Sequence, residues 1–176
     1  MRWAAVGVCA ILSLVIARAA DARALCAKPE EMSAIQTSAI QQELMVAALT
    51  CNEVARFNAF QTGFGSELRI EDAILAHMFK RLYGARRGEA AYHAFKTKLA
   101  NDSSMRSIHD NPGYCHEADS LLSTALAPAK PALIAFVNSA TVVLAQSPAQ
   151  ACTMRADAVT AKRAARRARR AARLAQ

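Results

Sequence analysis

Met32 to Phe64 reads MSAIQTSAIQQELMVAALTCNEVARFNAFQTGF, a run with no proline and no glycine until Gly63. Ile40, Leu44, Ala47, Cys51 and Val54 recur at steps of 4, 3, 4 and 3. That spacing is one face of an α-helix. Leu49, Phe57, Phe60 and Phe64 widen the face, and Asn58 places a polar group on the next step of the row. The run predicts one long first helix. Pro29, Glu30 and Glu31 supply a proline and two acids for its first turn, and Gly63 and Gly65 supply its stop.

The same period continues downstream. Ser66 can cap a second helix whose buried row is Leu68, Leu75, Met78, Phe79 and Leu82, with Glu71 and Asp72 in its early turns and Gly84 as a left-handed stop. Ala85 to Gly88 reads as a loop. A third helix follows with Tyr92, Phe95 and Leu99 in its core row, and with a second row at Ala94, Thr97, Asn101, Met105 and Ile108. Asn111-Pro112-Gly113 is a turn signal. A fourth helix from Tyr114 carries Tyr114, Ala118, Leu121 and Ala125 on one face. Pro128 and Pro131 interrupt it. Pro131 can open a fifth helix with Leu133, Val137, Ala140 and Leu144 inside, and Asn138 and Thr141 outside. No alternating pattern of strand length occurs. The expected fold is all-α, an up-down bundle of four to five helices.

The first 22 residues have the form of a signal peptide. Arg2 leads an apolar run from Ala4 to Ile16, and Ala20-Asp21-Ala22 offers a small-x-small cleavage site before Arg23. Ala17-Arg18-Ala19 is a second possible site, and an uncleaved anchor is the competing reading. Cleavage removes Cys9 and leaves Cys26, Cys51, Cys115 and Cys152. An even number in an exported chain favours two disulfides, for which three pairings exist. Short loops imply antiparallel neighbours, which brings the fourth helix's start to the end of the first helix that bears Cys51. Cys51–Cys115 and Cys26–Cys152 are therefore the preferred pairs.

Charge is distributed unevenly. The whole chain has 22 basic and 14 acidic residues. Without Arg2, Arg18 and Asp21, 20 basic and 13 acidic residues remain, a net +7. Lys162, Arg163, Arg166, Arg167, Arg169, Arg170 and Arg173 supply all of it. The organisation expected is a signal peptide over 1–22, a neutral disulfide-stapled helical domain over 23–152 and an Ala/Arg-rich tail over 153–176.

Several short motifs belong together: Leu49-Thr50-Cys51, Phe57-Asn58-Ala59-Phe60, Phe79-Lys80-Arg81-Leu82-Tyr83-Gly84, Thr97-Lys98-Leu99-Ala100-Asn101-Asp102-Ser103-Ser104 and Tyr114-Cys115. The set, over about residues 40 to 125, resembles a family of small exported proteobacterial proteins of unknown function. The resemblance implies a helical, disulfide-bearing periplasmic domain and supplies no activity, substrate or catalytic residue. The basic tail is not part of it.

Asn58, Arg81, Thr97 and Asn101 fall at or near core-facing positions. They are expected to form a buried hydrogen-bond network that sets helix register; a small ligand pocket is the alternative. His109, Cys115, His116, Glu117 and Asp119 have the composition of a thiol or metal site. Neighbouring residues on a helix do not face one another, though, and the spacing matches no zinc pattern. Gly63-Phe64-Gly65 follows a helix and lacks the third glycine of a dinucleotide loop. No cofactor is implied.

In the tail, alanines fall on one helical face and the basic groups on the other. Arginines at i+3 and i+4 repel, so helix formation against a polyanion is expected. Seven contacts to duplex DNA phosphates would give a salt slope of roughly −6. The leading expectation is a periplasmic or secreted, non-enzymatic binding or structural protein, tethered by its tail to anionic phospholipid headgroups or lipopolysaccharide. The alternatives are a polyanion or nucleic-acid binder, a merely solubilising tail and, last, an enzyme or metal site at His109–Asp119.

Overall fold

A computed structural model describes residues 26–140 and 147–152. The segment expected to be a signal peptide, Thr141 and Leu144 of the expected fifth helix, and the seven basic residues of the tail lie outside the described residues. The chain divides into two units, one of residues 29–149 and one formed by the flanking ends, 1–28 with 150–176.

The larger unit is all-helical among the described residues. Its elements are α1 (Pro29–Thr50), α2 (Val54–Gly63), α3 (Gly65–Tyr83), α4 (Ala85–His109), α5 (Asn111–Ala125) and α6 (Leu133–Ser139). The long first helix expected from Met32 to Phe64 is two helices. At Cys51–Glu53 the chain leaves the helix, and Asn52 takes φ 61°. Asparagine is among the few side chains that enter the left-handed region readily. The break rotates α2 relative to the row on α1. Ile40, Leu44 and Ala47 are buried, whereas Val54, Asn58 and Leu49 are exposed and Phe60 and Phe64 turn inward.

Phe64 joins α2 to α3. Its N–H bonds the Phe60 carbonyl at 3.0 Å and its carbonyl accepts from Leu68 at 2.8 Å. No side chain caps α3, so Ser66 lies inside the helix and not at its cap. Gly84, with φ 80° and ψ 163°, ends α3 in a conformation that is almost exclusive to glycine. The loop expected at Ala85–Gly88 is the first turn of α4. Gly88 lets α4 cross α3 backbone to backbone: a Cβ there would lie 2.6 Å from Lys80 Cα and from the Phe79 carbonyl oxygen. The turn expected at Asn111–Gly113 is likewise the first turn of α5. Asp110 caps it by accepting from Gly113 N–H at 3.1 Å, and Pro112 occupies that turn, where its missing N–H costs nothing. α6 starts two residues after Pro131, where the Glu67 carboxylate accepts from Leu133 N–H at 3.0 Å.

α1, α3 and α4 pack on one another, and α2, α5 and α6 close over the second half of α1. That second core joins Ile40, Leu44, Phe60, Phe64, Leu122, Leu133 and Phe136. Phe60 and Phe64 have ring centroids 5.2 Å apart, and Phe136 completes the trio at 6.2 and 6.3 Å. Cys51–Cys115 staples the α1–α2 joint to α5 with a Cα separation of 5.5 Å. In the smaller unit Cys26 bonds Cys152, and Ala27 pairs with residues 150 and 152 through two 2.8 Å backbone hydrogen bonds. Both preferred disulfide pairs are present.

Candidate functional site

The polar network expected at Asn58, Arg81, Thr97 and Asn101 does not form. Asn58, Thr97 and Asn101 are exposed. The break at Asn52 turns Asn58 outward, and Thr97 and Asn101 sit opposite the Phe95–Leu99 row of α4. Thr97 Oγ1 donates back to the His93 carbonyl at 3.0 Å. Only Arg81 meets a buried polar partner. Its Nε and a terminal nitrogen donate at 3.0 and 2.5 Å to the two oxygens of Glu31, whose side chain is buried. This fork ties the first turn of α1 to the last turn of α3.

The polar centre that exists lies between α1, α4 and α5. The Glu43 side chain is 4% exposed. Arg106 donates to its two oxygens at 3.2 and 3.4 Å and to Glu117 at 2.6 Å. Tyr114 Oη donates to the Glu43 carbonyl at 2.8 Å and lies 2.8 Å from Ser103 Oγ. A phenol has one proton, so Ser103 donates to Tyr114. Arg106 also lies 5.5 Å from the centroid of the Tyr114 ring. Burial pushes the Glu43 carboxyl above its usual range, and Arg106 offsets only part of that. Burial likewise raises the Tyr114 hydroxyl. Beside this centre is a cleft of about 310 Å³ lined by Glu43, His116, Glu117, Thr124, Phe136 and Ser139 among others.

A second polar cluster faces the groove between α3 and α4. Tyr92 Oη donates to Asp72 Oδ1 at 2.6 Å, and Lys96 donates to the same oxygen at 2.8 Å. Burial acts to raise the Asp72 carboxyl, but the Lys96 and Tyr92 hydrogen bonds outweigh it and hold the group below its usual range. Burial opposes the Lys96 charge, and Asp72 and Tyr92 reverse that, so the ammonium is raised. Gln41, Gln61, Arg69, Asp72 and Lys96 help line a groove of about 490 Å³.

Of the His109–Asp119 candidates, Cys115, Glu117 and Asp119 have separate partners, and His109 and His116 are exposed. The Cys115 sulfur is bonded to Cys51 and so is no thiolate. Glu117 pairs with Arg106, and Asp119 accepts from Arg56 at 2.5 Å. Among the described residues no three His, Cys, Asp or Glu side chains are grouped to hold a metal ion. No helix among them is long and apolar enough to cross a membrane. No protein family, curated protein or solved structure matches the chain. The chemistry of its own residues therefore carries the functional reading.

Three buried residues escaped the sequence reading: Glu43, Glu71 and Phe136. Glu43 stands three residues after Ile40 and four before Ala47, inside the apolar row, and that position signalled a buried carboxylate. Glu71 holds the same kind of position between Leu68 and Leu75. It is 9% exposed, and its Oε2 has no hydrogen-bond partner. Phe136, the third ring of the core, stands one step before Val137 and was likewise readable.

Proposed function

We propose that the protein is an exported, non-enzymatic helical scaffold whose basic C-terminal tail tethers it to an anionic envelope surface. One observation carries the reading. In both polar clusters the carboxylates are paired with the protein's own Arg106 and Lys96, so their charges serve to hold helices together. Two disulfides fit folding in an oxidising, non-cytoplasmic compartment. The exported family that the motifs resemble fits the same compartment. The domain before the tail has no net charge, whereas residues 161–176 hold seven basic groups and no acid. Recognition of polyanions therefore rests on the tail.

The test is co-sedimentation with vesicles of phosphatidylglycerol and phosphatidylcholine, compared with phosphatidylcholine alone, for the protein with and without residues 161–176. Binding to the anionic vesicles is expected to require the tail and to weaken with salt. Equal binding by the truncated protein would remove the tether from the proposal.

A further inference from the structure

The outer face of α4 has the pattern of a surface that pairs with itself. Ala90, Ala94, Thr97, Asn101, Met105 and Ile108 recur at steps of 4, 3, 4, 4 and 3, and all are exposed. Met105 is 61% and Ile108 74% exposed. No charged side chain interrupts the row, which runs about 27 Å along the helix at 1.5 Å per residue. Its two ends differ in size: alanines line the N-terminal half, and Met105 and Ile108 stand on the C-terminal half. Lys98 and Asp102 flank one edge of the row, 46% and 38% exposed, and bond each other at 2.6 Å.

We infer that this face is the interface of an antiparallel homodimer, with the two-fold axis beside Leu99–Ala100. One centre satisfies every position. About it, Ile108 of one copy seats over Ala90 of the second, and Met105 seats over Ala94. Thr97 faces Asn101 with hydrogen-bonding groups on both sides. Lys98 comes level with Asp102 on the same edge, because a two-fold perpendicular to the helices returns each flank to its own side. Large side chains meet small ones, and each cation meets an anion. A parallel pairing of the same face would stack Ile108 on Ile108 and Ala90 on Ala90, and would carry Lys98 and Asp102 of the two copies to opposite edges, where they do not meet. The antiparallel arrangement also sets each helix N-terminus beside the other's C-terminus, which the helix dipoles favour. The rim charges fix register more than affinity. The inference stands independently of the tail and its partner.

A single helix pair is a small interface, so sedimentation velocity should span from about 5 to about 500 µM, the range suited to weak association. Monomer–dimer exchange is expected for the oxidised protein. Ile108→Glu should weaken it by at least about tenfold, equivalent to about 1.4 kcal/mol. Lys98→Asp and Asp102→Lys should each weaken self-association, because like charges then meet across the axis. The two variants mixed should associate with each other in preference to themselves. Ile108 and Lys98 are exposed and Asp102 is half-buried, so thermal unfolding of each variant serves as a folding control. A protein that stays monomeric to the highest concentration overturns the inference. So does a dimer that is indifferent to Ile108→Glu, or a mixture of the charge variants with no preference for the mixed pair.

Discussion

Glu71 shows most directly what one residue costs this fold. It is buried, Oε2 has no hydrogen-bond partner, and burial raises its carboxyl above the usual 4.5. A raised folded pKa means the native state holds the proton more firmly than the unfolded chain. The stability linked to that proton is therefore complete below about pH 4.5 and is lost as pH rises through the folded value. Glu71→Gln removes the titration and keeps the shape. The variant should match the parent near pH 4 and exceed it at pH 8, measured as urea unfolding free energies at both. Glu43 titrates in the same direction in both proteins and cancels in the comparison. An advantage of the same size at both pH values would show that the carboxylate charge is not the cause. Arg106 is the opposite case, a cation that compensates a buried charge. Arg106→Ala leaves Glu43 buried without its partner and should cost about 3–5 kcal/mol. Adding Glu43→Leu should recover much of that loss, because no charge then remains to be compensated. Recovery of nothing would mean that Arg106 acts through packing on Tyr114 instead.

At the scale of the element, two glycines on either side of one turn separate two kinds of backbone constraint. Gly84 has open space where a Cβ would stand but an angle that other residues resist. Gly84→Ala should cost about 1–3 kcal/mol from strain alone. Gly88 has ordinary helical geometry, and there alanine would gain about 1 kcal/mol of helix propensity. Its Cβ would instead press on the backbone at Lys80, 2.6 Å away. Gly88→Ala should therefore force α3 and α4 apart and lower the thermal midpoint more than Gly84→Ala does. The reverse order would show that the crossing yields easily. The helices themselves were legible in the sequence, because each buries one row of apolar residues at steps of 3 and 4. Leu75, Met78 and Phe79 of α3, Phe95 and Leu99 of α4, and Tyr114 and Ala118 of α5 all lie inside, as their rows require. What periodicity could not supply was phase across a joint. A three-residue break at Cys51–Glu53 preserves the count of residues and not the direction of the face, so Asn58 read as inward and lies outside. The second row of α4 was read correctly as a row and wrongly as buried, because an apolar stripe that awaits a partner has the same spacing as one that has found it. Of the candidate polar residues Asn58, Arg81, Thr97 and Asn101, only Arg81 reaches a buried partner, Glu31. The charged residues inside the rows, Glu43 and Glu71, were the ones that the fold buries.

For the whole molecule, the covalent connections make a prediction that the contacts do not. Cys26–Cys152 spans 126 residues and Cys51–Cys115 spans 64, and the shorter loop is nested in the longer. Taken separately on the chain-entropy account, the outer bridge restrains the unfolded chain by about 5 kcal/mol and the inner by about 4 kcal/mol. They are not independent. While the inner bridge is intact, an unfolded chain can pass from Cys51 to Cys115 without traversing the intervening residues. The loop that the outer bridge closes then shrinks to about 62 residues, and its share falls to about 4 kcal/mol. Removal of either bridge alone should therefore cost nearly the same, despite a twofold difference in span. The comparison is Cys26→Ser with Cys152→Ser against Cys51→Ser with Cys115→Ser, each by urea unfolding. The helical circular dichroism of the folded baseline confirms that the native state is kept. Equal losses support a common origin in the unfolded chain. A much larger loss for the inner pair would place its contribution in the native state, where Cys51 and Cys115 pack against the core of Ile40, Phe60 and Leu122. The joint at Asn52 would then depend on its sulfur bridge for its geometry, and the two helices that replace the one expected would owe their angle to Cys115.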